Sequence, residues 1–319
     1  MRLRSLALAA ALLFASVHAA SAQVIIDTDV GDDVDDAFAI DLALASPEMK
    51  ILGIGGAWGD TALRARMLDR MLCETGRTDI PVTAGVPTTP KFAFTQAPWA
   101  NAGIARAHKD GVAFLLDQIR AHPNEITLLA LGPLTNIGAA IDRDPATFRK
   151  LKRVVLMGGA IHRGYGPPGT APAPEYNIAS DPKSAQKLLA SGVPLFFLPL
   201  DSTQLKFDDT KRAQLASIST PMTDSLQILI AEWMQGSHQP TPTLFDAVAA
   251  AYTLDPASCP MTPLHLEIDD KGMTIAGTGT PNASACLTAM PDAFFAILMP
   301  RLLNQKLIGT QACLAQPAK

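Results

Sequence analysis

The stretch from Asp27 to Asp36 constrains this chain more than any other, because six of its ten residues are aspartates and none is Lys or Arg. An apolar run, Val24 to Ile26, precedes it, and another apolar run, Ala37 to Ala45, follows it. This order predicts a buried strand, a tight turn at Gly31 and then a helix. Carboxylates gathered at the end of a buried strand repel one another and cannot all stay ionised without a partner.

A hard divalent cation with oxygen ligands is the simplest partner for these carboxylates. Helix capping and the positive end of a helix account for two or three of the aspartates, not for six. An EF-hand loop fails on spacing, because its Gly and Glu positions, counted from Asp27, hold Asp32 and Phe38. The aspartyl-phosphate hydrolases also carry Asp-x-Asp after a first strand, usually followed closely by Thr. This chain has Val30-Gly31 there, so a phosphatase stays a weak alternative.

Residues 1–22 have the pattern of a secretory signal peptide, with two arginines, an apolar run from Leu6 to Val17 and a small-residue cleavage site at Ala20-Ser21-Ala22. We therefore expect a periplasmic or secreted protein whose mature chain begins near Gln23. Without the leader, 24 basic and 30 acidic side chains remain, a net charge of −6. That charge argues against nucleic acid or an acidic membrane surface as a partner. No later segment is apolar and long enough to span a membrane.

Strand-like and helix-like segments alternate along the rest of the chain. Strands are predicted at 51–55, 80–85, 126–131, 154–157 and 195–200, and helices at 61–75, 111–121, 135–141, 222–235, 244–252 and 292–303. Residues 88–101 and 160–178 are predicted as loops, and 264–268 with 272–276 as an antiparallel ribbon. The predicted fold is α/β: a mostly parallel, Rossmann-like open sheet with helices on both faces and a small antiparallel addition near the C-terminus.

Residues 23–319 are predicted to form one catalytic domain, because 48% hydrophobic residues supply one large core and no repeat or low-complexity linker interrupts the chain. Four cysteines remain in an exported chain, where disulfides persist. Three of them lie near the C-terminus, so a disulfide there is plausible, although the sequence does not give the pairing. Ligands of such sheets bind at the carboxyl ends of the strands, and polar or Gly-rich clusters do follow the predicted strands.

Two pieces of the aspartate stretch, Asp27-Thr28-Asp29-Val30-Gly31 and Asp35-Asp36-Ala37, resemble the N-terminal signature of the inosine-uridine type nucleoside hydrolases. The commonest form of that signature has one residue between the Gly and the Asp pair. This chain has three, Asp32-Asp33-Val34, which resembles one branch of the family and leaves the role of Asp33 open. Further segments match the family along nearly the whole mature chain: Leu131 to Ile137, Val155 to Gly159, Glu175 to Ile178 and Asp246.

The resemblance implies an N-ribohydrolase that uses Ca²⁺ to split ribonucleosides into base and ribose. Asp29 corresponds to the metal ligand that orients or deprotonates the attacking water. The other calcium ligands implied by the family are Asp36, the carbonyl of Leu131 and Asp246, and the implied ribose-binding residues are Asp35, Glu175 and Asn177. The chemistry suits these residue types, because negative charge stabilises an oxocarbenium-like transition state and carboxylate or amide groups serve a diol.

Two positions depart from the family pattern. Well-studied purine-competent members carry His just before the last calcium Asp, as proton donor to the leaving base, where this chain has Phe245. His238 is the best titratable substitute, although a solvated loop histidine is at least as good a reading. Many members have Asn where this chain has Asp60, which would add negative charge near the sugar. A non-catalytic calcium-dependent nucleoside- or sugar-binding protein is therefore the main alternative.

The family resemblance also implies a homodimer or homotetramer that acts in purine or pyrimidine salvage.

Overall fold

The computed structural model describes residues 21–89, 92–288 and 290–315. Apart from its last two residues, the predicted signal peptide lies outside this range. Within the described residues, no helix combines the length and the apolar character that a membrane crossing requires.

A ten-stranded sheet organises the described chain, in the spatial order β4-β3-β2-β1-β5-β6-β7-β10-β8-β9. The strands are β1 (Ala22–Thr28), β2 (Met49–Gly56), β3 (Val82–Ala84), β4 (Lys109–Asp110), β5 (Ile126–Ala130), β6 (Arg153–Met157), β7 (Leu195–Leu198), β8 (Met261–Ile268), β9 (Thr274–Gly277) and β10 (Ala283–Cys286). From β4 to β10 in that order, neighbouring strands are parallel, whereas β8 pairs antiparallel with β10 and with β9. The predicted α/β fold with a small antiparallel addition is confirmed.

Helices cover both faces of the sheet. They are α1 (Asp35–Leu44), α2 (Thr61–Glu74), α3 (Ala97–Ala102), α4 (Gly111–Ala121), α5 (Thr135–Arg143), α6 (Pro145–Phe148), α7 (Tyr176–Ser180), α8 (Pro182–Leu189), α9 (Leu200–Thr203), α10 (Asp209–Ala216), α11 (Pro221–Ser237), α12 (Phe245–Leu254) and α13 (Pro291–Asn304), with one 3₁₀ turn at Pro256–Ser258. The central strand shows why two layers form: Val24 and Ile26 pack into one apolar cluster and Ile25 into the other, because successive side chains of a strand point to opposite faces.

Three local predictions need correction. Residues 88–101 are not all loop, because α3 begins at Ala97, with Pro98 in its first turn, where proline costs no hydrogen bond. The long loop after β6 ends early, because Glu175 caps α7. The strand β10 and the helix α10 were not predicted. Ala283–Cys286 is only four residues long and gives no periodic signal.

Two disulfides, Cys73–Cys313 and Cys259–Cys286, account for all four cysteines. The second is the C-terminal disulfide that the sequence made plausible, and it ties Cys259, two residues before β8, to the end of β10. The first joins the end of α2 to the C-terminal tail, 240 residues further along the chain. No sequence pattern indicated that pairing.

Candidate active site

The aspartate stretch folds as its pattern predicts, with β1 ending at Thr28 and α1 beginning at Asp35. The turn between them lies at the carboxyl edge of the sheet, beside the end of β5. Four of its aspartates are buried, with relative exposures between 3% and 6%: Asp27, Asp29, Asp35 and Asp36. Asp27 does not line the cavity described below, and its Oδ1 accepts a hydrogen bond from Asn136 Nδ2 at 2.7 Å.

Three carboxylates meet although one of them is far away in sequence. An oxygen from each of Asp35, Asp36 and Asp246 lies within 4.8 Å of the other two. Asp246 is the second residue of α12, and its backbone N–H donates to Asp35 Oδ2 at 3.0 Å. Thr28 donates its hydroxyl to Asp36 Oδ1. The Oδ1 atom of Asp246 is buried and has no hydrogen-bond partner among the described residues.

Mutual repulsion and burial dominate the electrostatics of this group. Loss of solvent raises the pKa of Asp29 well above its ordinary value, and the neighbouring charge of Asp36 raises it further. The pKa values of Asp35, Asp36 and Asp246 are raised in the same way, first by burial and then by the other carboxylates. We call Asp29, Asp35, Asp36 and Asp246 the acidic wall. A hard divalent cation fits it, because the donors are all oxygen and one buried oxygen has no other partner.

Leu131 stands at the end of β5 and faces the same space as the acidic wall. Its carbonyl accepts a hydrogen bond from Asn177 Nδ2 at 2.7 Å, which leaves one lone pair of that oxygen for another partner. The residue after Leu131 is Gly132, and a Cβ there would lie only 2.6 Å from Asp29 Oδ1. Glycine therefore lets the carboxylate approach the backbone after β5.

Glu175 and Asn177 form a buried hydrogen-bonded cluster next to Leu131. The Glu175 carboxylate accepts from the backbone N–H groups of Asn177 at 2.9 Å, Ile178 at 3.2 Å and Gly159 at 2.9 Å. The Tyr165 hydroxyl donates to the same carboxylate at 3.3 Å. Burial raises the pKa of Glu175 although these donors act against it. These backbone bonds give Glu175 a structural role besides the ribose contact that the family resemblance implies.

Aromatic side chains form the other side of the cavity. These are Phe92, Tyr165, Tyr176, Trp233 and Phe245, which we call the aromatic wall. The rings of Tyr165 and Phe245 meet edge to face with centroids 6.0 Å apart, and those of Phe92 and Tyr176 are 5.4 Å apart. The cavity between the two walls has a volume of about 570 Å³ and is also lined by Leu131, Glu175 and Asn177. A nucleoside-sized molecule fits such a volume.

Two predicted site residues lie outside this cavity. Asp60 is exposed, and its carboxylate caps α2 by accepting from the Leu63 N–H at 3.0 Å. The structure therefore does not bring Asp60 to the other predicted site residues, and its place near the sugar stays a prediction. His238 is exposed at the left-handed C-cap of α11, with φ of 58°, and does not line the cavity. Its position on the leaving-group side therefore stays a prediction.

Several residues that shape the site were not singled out from the sequence. Arg64 is buried behind the aspartate turn and pairs with Asp32 at 2.8 Å. A signal for it exists, since Arg64 lies on the apolar stripe that Leu68 and Met71 mark on α2. Tyr165 comes from a Gly- and Pro-rich loop, where no periodic pattern predicts which side chain turns inward.

Comparison with known proteins gives one family. The model of the family described as inosine-uridine preferring nucleoside hydrolase matches residues 24–296. An uncharacterized protein of Schizosaccharomyces pombe is 36% identical over 205 residues, which are 60% of this chain and 64% of that protein. Uridine nucleosidase 1 of Arabidopsis thaliana is 32% identical over 211 residues, or 61% of either chain. The aligned part thus spans less than two thirds of these curated relatives.

The fold also matches a solved structure. A plant nucleoside hydrolase superposes with a TM-score of 0.77 at 24% identity, and the alignment covers 89% of this chain and 100% of that chain. At this identity the likeness shows the fold alone. It agrees with the sheet and the helical layers described above.

Proposed function

We propose that this chain, which belongs to the inosine-uridine preferring nucleoside hydrolase family, hydrolyses the N-glycosidic bond of ribonucleosides to give free base and ribose. One observation carries the proposal. The buried carboxylates of Asp35, Asp36 and Asp246 converge beside Asp29 at one side of a cavity. Glu175 and Asn177 line the same cavity with oxygen and nitrogen atoms suited to a diol.

The acidic wall supports Ca²⁺ as the cofactor of this proposal. Asp29, Asp36 and Asp246, with the carbonyl of Leu131, would hold it, and the proximity of Asp35 to Asp36 and Asp246 makes Asp35 a further candidate ligand besides its proposed ribose contact. When bound there, Ca²⁺ supplies positive charge that lowers the pKa of a water ligand and orients the ribose hydroxyls.

Asp29 is the proposed general base. Its carboxylate accepts a proton from the attacking water while the bond between C1′ and the base nitrogen breaks, and the electron pair of that bond leaves with the base. Positive charge then develops on the ribose ring. The carboxylates that surround Asp29 stabilise this charge, and burial makes their effect larger than it would be in water.

The ribose hydroxyls are assigned to Asp35, Glu175 and Asn177. Glu175 already has four donors, of which the Tyr165 hydroxyl at 3.3 Å is the longest contact. Tyr165 is therefore the partner that a ribose hydroxyl can replace at the smallest cost. The three backbone donors keep the carboxylate in place while this happens.

The base is assigned to the aromatic wall, and uridine and inosine are the first substrates to test. The relative from Arabidopsis is named a uridine nucleosidase, and the family description names both nucleosides. Aromatic rings accept either base through stacking. Phe245 has no proton to donate, so the leaving base either departs unassisted or takes its proton from another group.

Incubation of the protein with a panel of nucleosides in calcium chloride, followed by chromatography for base and ribose, tests the proposal. Release of base from at least one nucleoside is expected. The Asp29→Asn variant should lose the activity by about 10²-fold or more, whereas the exposed Asp60→Asn should keep it, because Asn also caps helices. No release from any nucleoside by the calcium-loaded protein would refute hydrolysis.

A second candidate is a calcium-dependent nucleoside- or sugar-binding protein without catalysis, which the aromatic Phe245 favours. Calorimetric binding of uridine in calcium chloride with no release of uracil would support this reading. Both candidates use the same walls of the cavity, so turnover alone separates them.

The proposal also covers where the protein acts and how it is organised: an exported protein with one catalytic domain that forms a homo-oligomer. The Arg-led apolar leader and Ala20-Ser21-Ala22 support secretion or a periplasmic location, and residues 23–319 would then form a single catalytic domain in a homodimer or homotetramer. N-terminal sequencing of exported protein should start near Gln23, and an intact Met1 would contradict cleavage. Light scattering on the mature protein tests the number of subunits.

A further inference from the structure

The spacer Asp32-Asp33-Val34 lengthens the aspartate turn, and the proposed mechanism gives it no task. Its first residue makes a specific contact. Asp32 Oδ2 accepts a hydrogen bond from Arg64 Nη2 at 2.8 Å, and the two side chains are 13% and 1% exposed. The spacer therefore supplies an anion to a guanidinium that lies almost completely out of solvent.

Arg64 uses the rest of its guanidinium on backbone carbonyls. Nη1 donates to the carbonyl of Asp29 and, at 3.0 Å, to that of Val30. Nε donates to the carbonyl of Trp58 at 2.7 Å, and this bond fixes the guanidinium relative to the segment that follows β2. The planar fork of arginine holds several acceptors at once, and a lysine ammonium cannot reproduce that arrangement.

Residues that precede α3 also hold the turn. Gly31 has φ of +122°, and a Cβ there would lie 1.8 Å from the ring of Phe94. Thr95 donates its hydroxyl to the Asp32 carbonyl at 2.8 Å, and Gln96 Nε2 donates to the Asp33 carbonyl at 2.7 Å. The turn that carries Asp29 is thus held by Arg64 and by residues 94–96, and the Arg64 guanidinium lies 5.1 Å from the centroid of the Phe94 ring.

We propose that Arg64, aimed by Asp32 of the spacer, is a positioning residue that fixes the backbone of Asp29 and thereby the direction of its carboxylate within the acidic wall. This inference rests on the proposed function, since it concerns calcium binding and catalysis by that wall. Arg64 does not itself line the cavity. It acts through Asp29, whose carbonyl it holds.

Charge alone predicts the opposite effect of removing Arg64. A guanidinium near a cation site repels the cation, so its removal should strengthen calcium binding if charge were its only contribution. If Arg64 instead orients Asp29, its removal should weaken calcium binding, because loss of a group that orients a metal ligand typically lowers metal affinity by roughly 10- to 100-fold. The sign of the change separates the two explanations.

Calorimetric titration of calcium chloride into chelator-treated protein is the experiment, with melting temperature and uridine kinetics measured alongside. Arg64→Lys and Asp32→Glu keep the charges and change only the geometry, and each should weaken calcium binding by roughly 10- to 100-fold. Arg64→Met should weaken it as well. Arg66→Lys is the matched control on the same helix, because among the described residues the Arg66 side chain donates hydrogen bonds only to Asn101 and Gly103. Its calcium affinity should stay at the wild-type value.

At saturating calcium chloride, the folded Arg64 and Asp32 variants should still have a lower kcat than the wild-type protein, because the Asp29 carboxylate remains misdirected. Wild-type calcium affinity and kcat in Arg64→Lys and Asp32→Glu, or tighter calcium binding in Arg64→Met, would overturn the inference. Should the Arg64 variants fail to fold, Asp32→Glu carries the test, because it leaves the carbonyl contacts of Arg64 in place. If the wild-type protein neither binds calcium nor releases base, the proposed function fails instead.

Discussion

The two walls of the cavity are built in different ways. Every member of the acidic wall is at most 5% exposed and lies in the turn after a central strand or in the first turn of a helix. The aromatic wall is mixed: Phe92 at 64% and Tyr165 at 45% exposure come from loops, whereas Tyr176, Trp233 and Phe245 lie in helices. The acidic wall is therefore fixed entirely by regular elements, and the aromatic wall only in part.

This difference suits the two tasks of the proposed reaction. Stabilising a charged transition state requires groups that are already in place, because moving them during the reaction costs free energy. Accepting more than one base requires only apolar area and some adaptability. Substitutions in the acidic wall should accordingly affect every substrate, and substitutions in the aromatic wall should affect substrates selectively.

The strongest test of the comparison is Asp36→Asn in the acidic wall. The variant removes one charge from the group of three carboxylates, so calcium affinity and turnover of all nucleosides should fall together, by about 10²-fold or more, since even groups one step removed from a metal cost 10- to 100-fold. Calorimetry and base release measure the two losses. Full activity of this variant after chelator treatment would show that the acidic wall does not bind the metal.

The next test concerns the leaving group at the aromatic wall. With Phe245 beside Asp246, inosine should react more slowly than p-nitrophenyl riboside, whose phenolate leaves without protonation, by the roughly 10²- to 10⁴-fold that a general acid contributes. The measure is the ratio of kcat/KM for the two substrates. Phe245→His should raise the inosine value more than the p-nitrophenyl riboside value.

His238→Ala is the control for this second test. The exposed position of His238 at the end of α11 predicts that the variant leaves both kcat/KM values unchanged. A selective loss of inosine turnover would instead show that His238 reaches the leaving base. Efficient inosine hydrolysis that is insensitive to both substitutions would point to a proton donor elsewhere in the cavity.

The smallest expected effect is a dependence of stability on pH in calcium-free protein. Burial raises the pKa of Asp27 to about 7 and that of Asp33 to about 6, from an ordinary value of 3.8. A carboxyl group with a raised pKa stabilises the fold fully below its unfolded pKa, and this contribution is lost as the pH rises through the folded pKa.

Chelated protein should therefore melt at a higher temperature at pH 5 than at pH 8, by roughly 5 °C. Calcium chloride should reduce this difference, because a bound cation stabilises the ionised acidic wall at the higher pH. Scanning calorimetry with and without calcium measures the effect. A chelated protein that is more stable at pH 8 would show that the buried carboxyl groups are compensated by other charges.

Most of the fold could be predicted from the sequence because it depends on local patterns. Continuous apolar runs between Gly- and Asp-rich turns indicate buried parallel strands, and the Asp181-Pro182 pair marks the start of α8, where Asp181 accepts from the Ser184 N–H. The failures have local causes too. The strand β10 is too short for a periodic signal, and α3 follows an aromatic segment with two prolines nearby.

The site was predicted unevenly. Asp29, Asp35, Asp36 and Asp246 lie together as the family resemblance implied, and Leu131, Glu175 and Asn177 line the same cavity. Asp60 stands where many family members have Asn, and His238 is a titratable residue near Asp246 in sequence. Closeness in sequence does not decide where a side chain points when a helix cap intervenes, and both residues lie at helix ends.

The sequence by itself determined the order of strands and helices, the acidic turn after the first strand and the family of the chain, because these follow from short-range patterns and motif spacing. Only the tertiary structure decided that Asp246 meets Asp35 across 211 residues, that Arg64 lies beneath the turn and that Tyr165 faces Phe245. Such pairings form only when the strands assemble into the sheet and the helices pack on its two apolar faces. No local pattern contains the distance between two residues that only packing brings together.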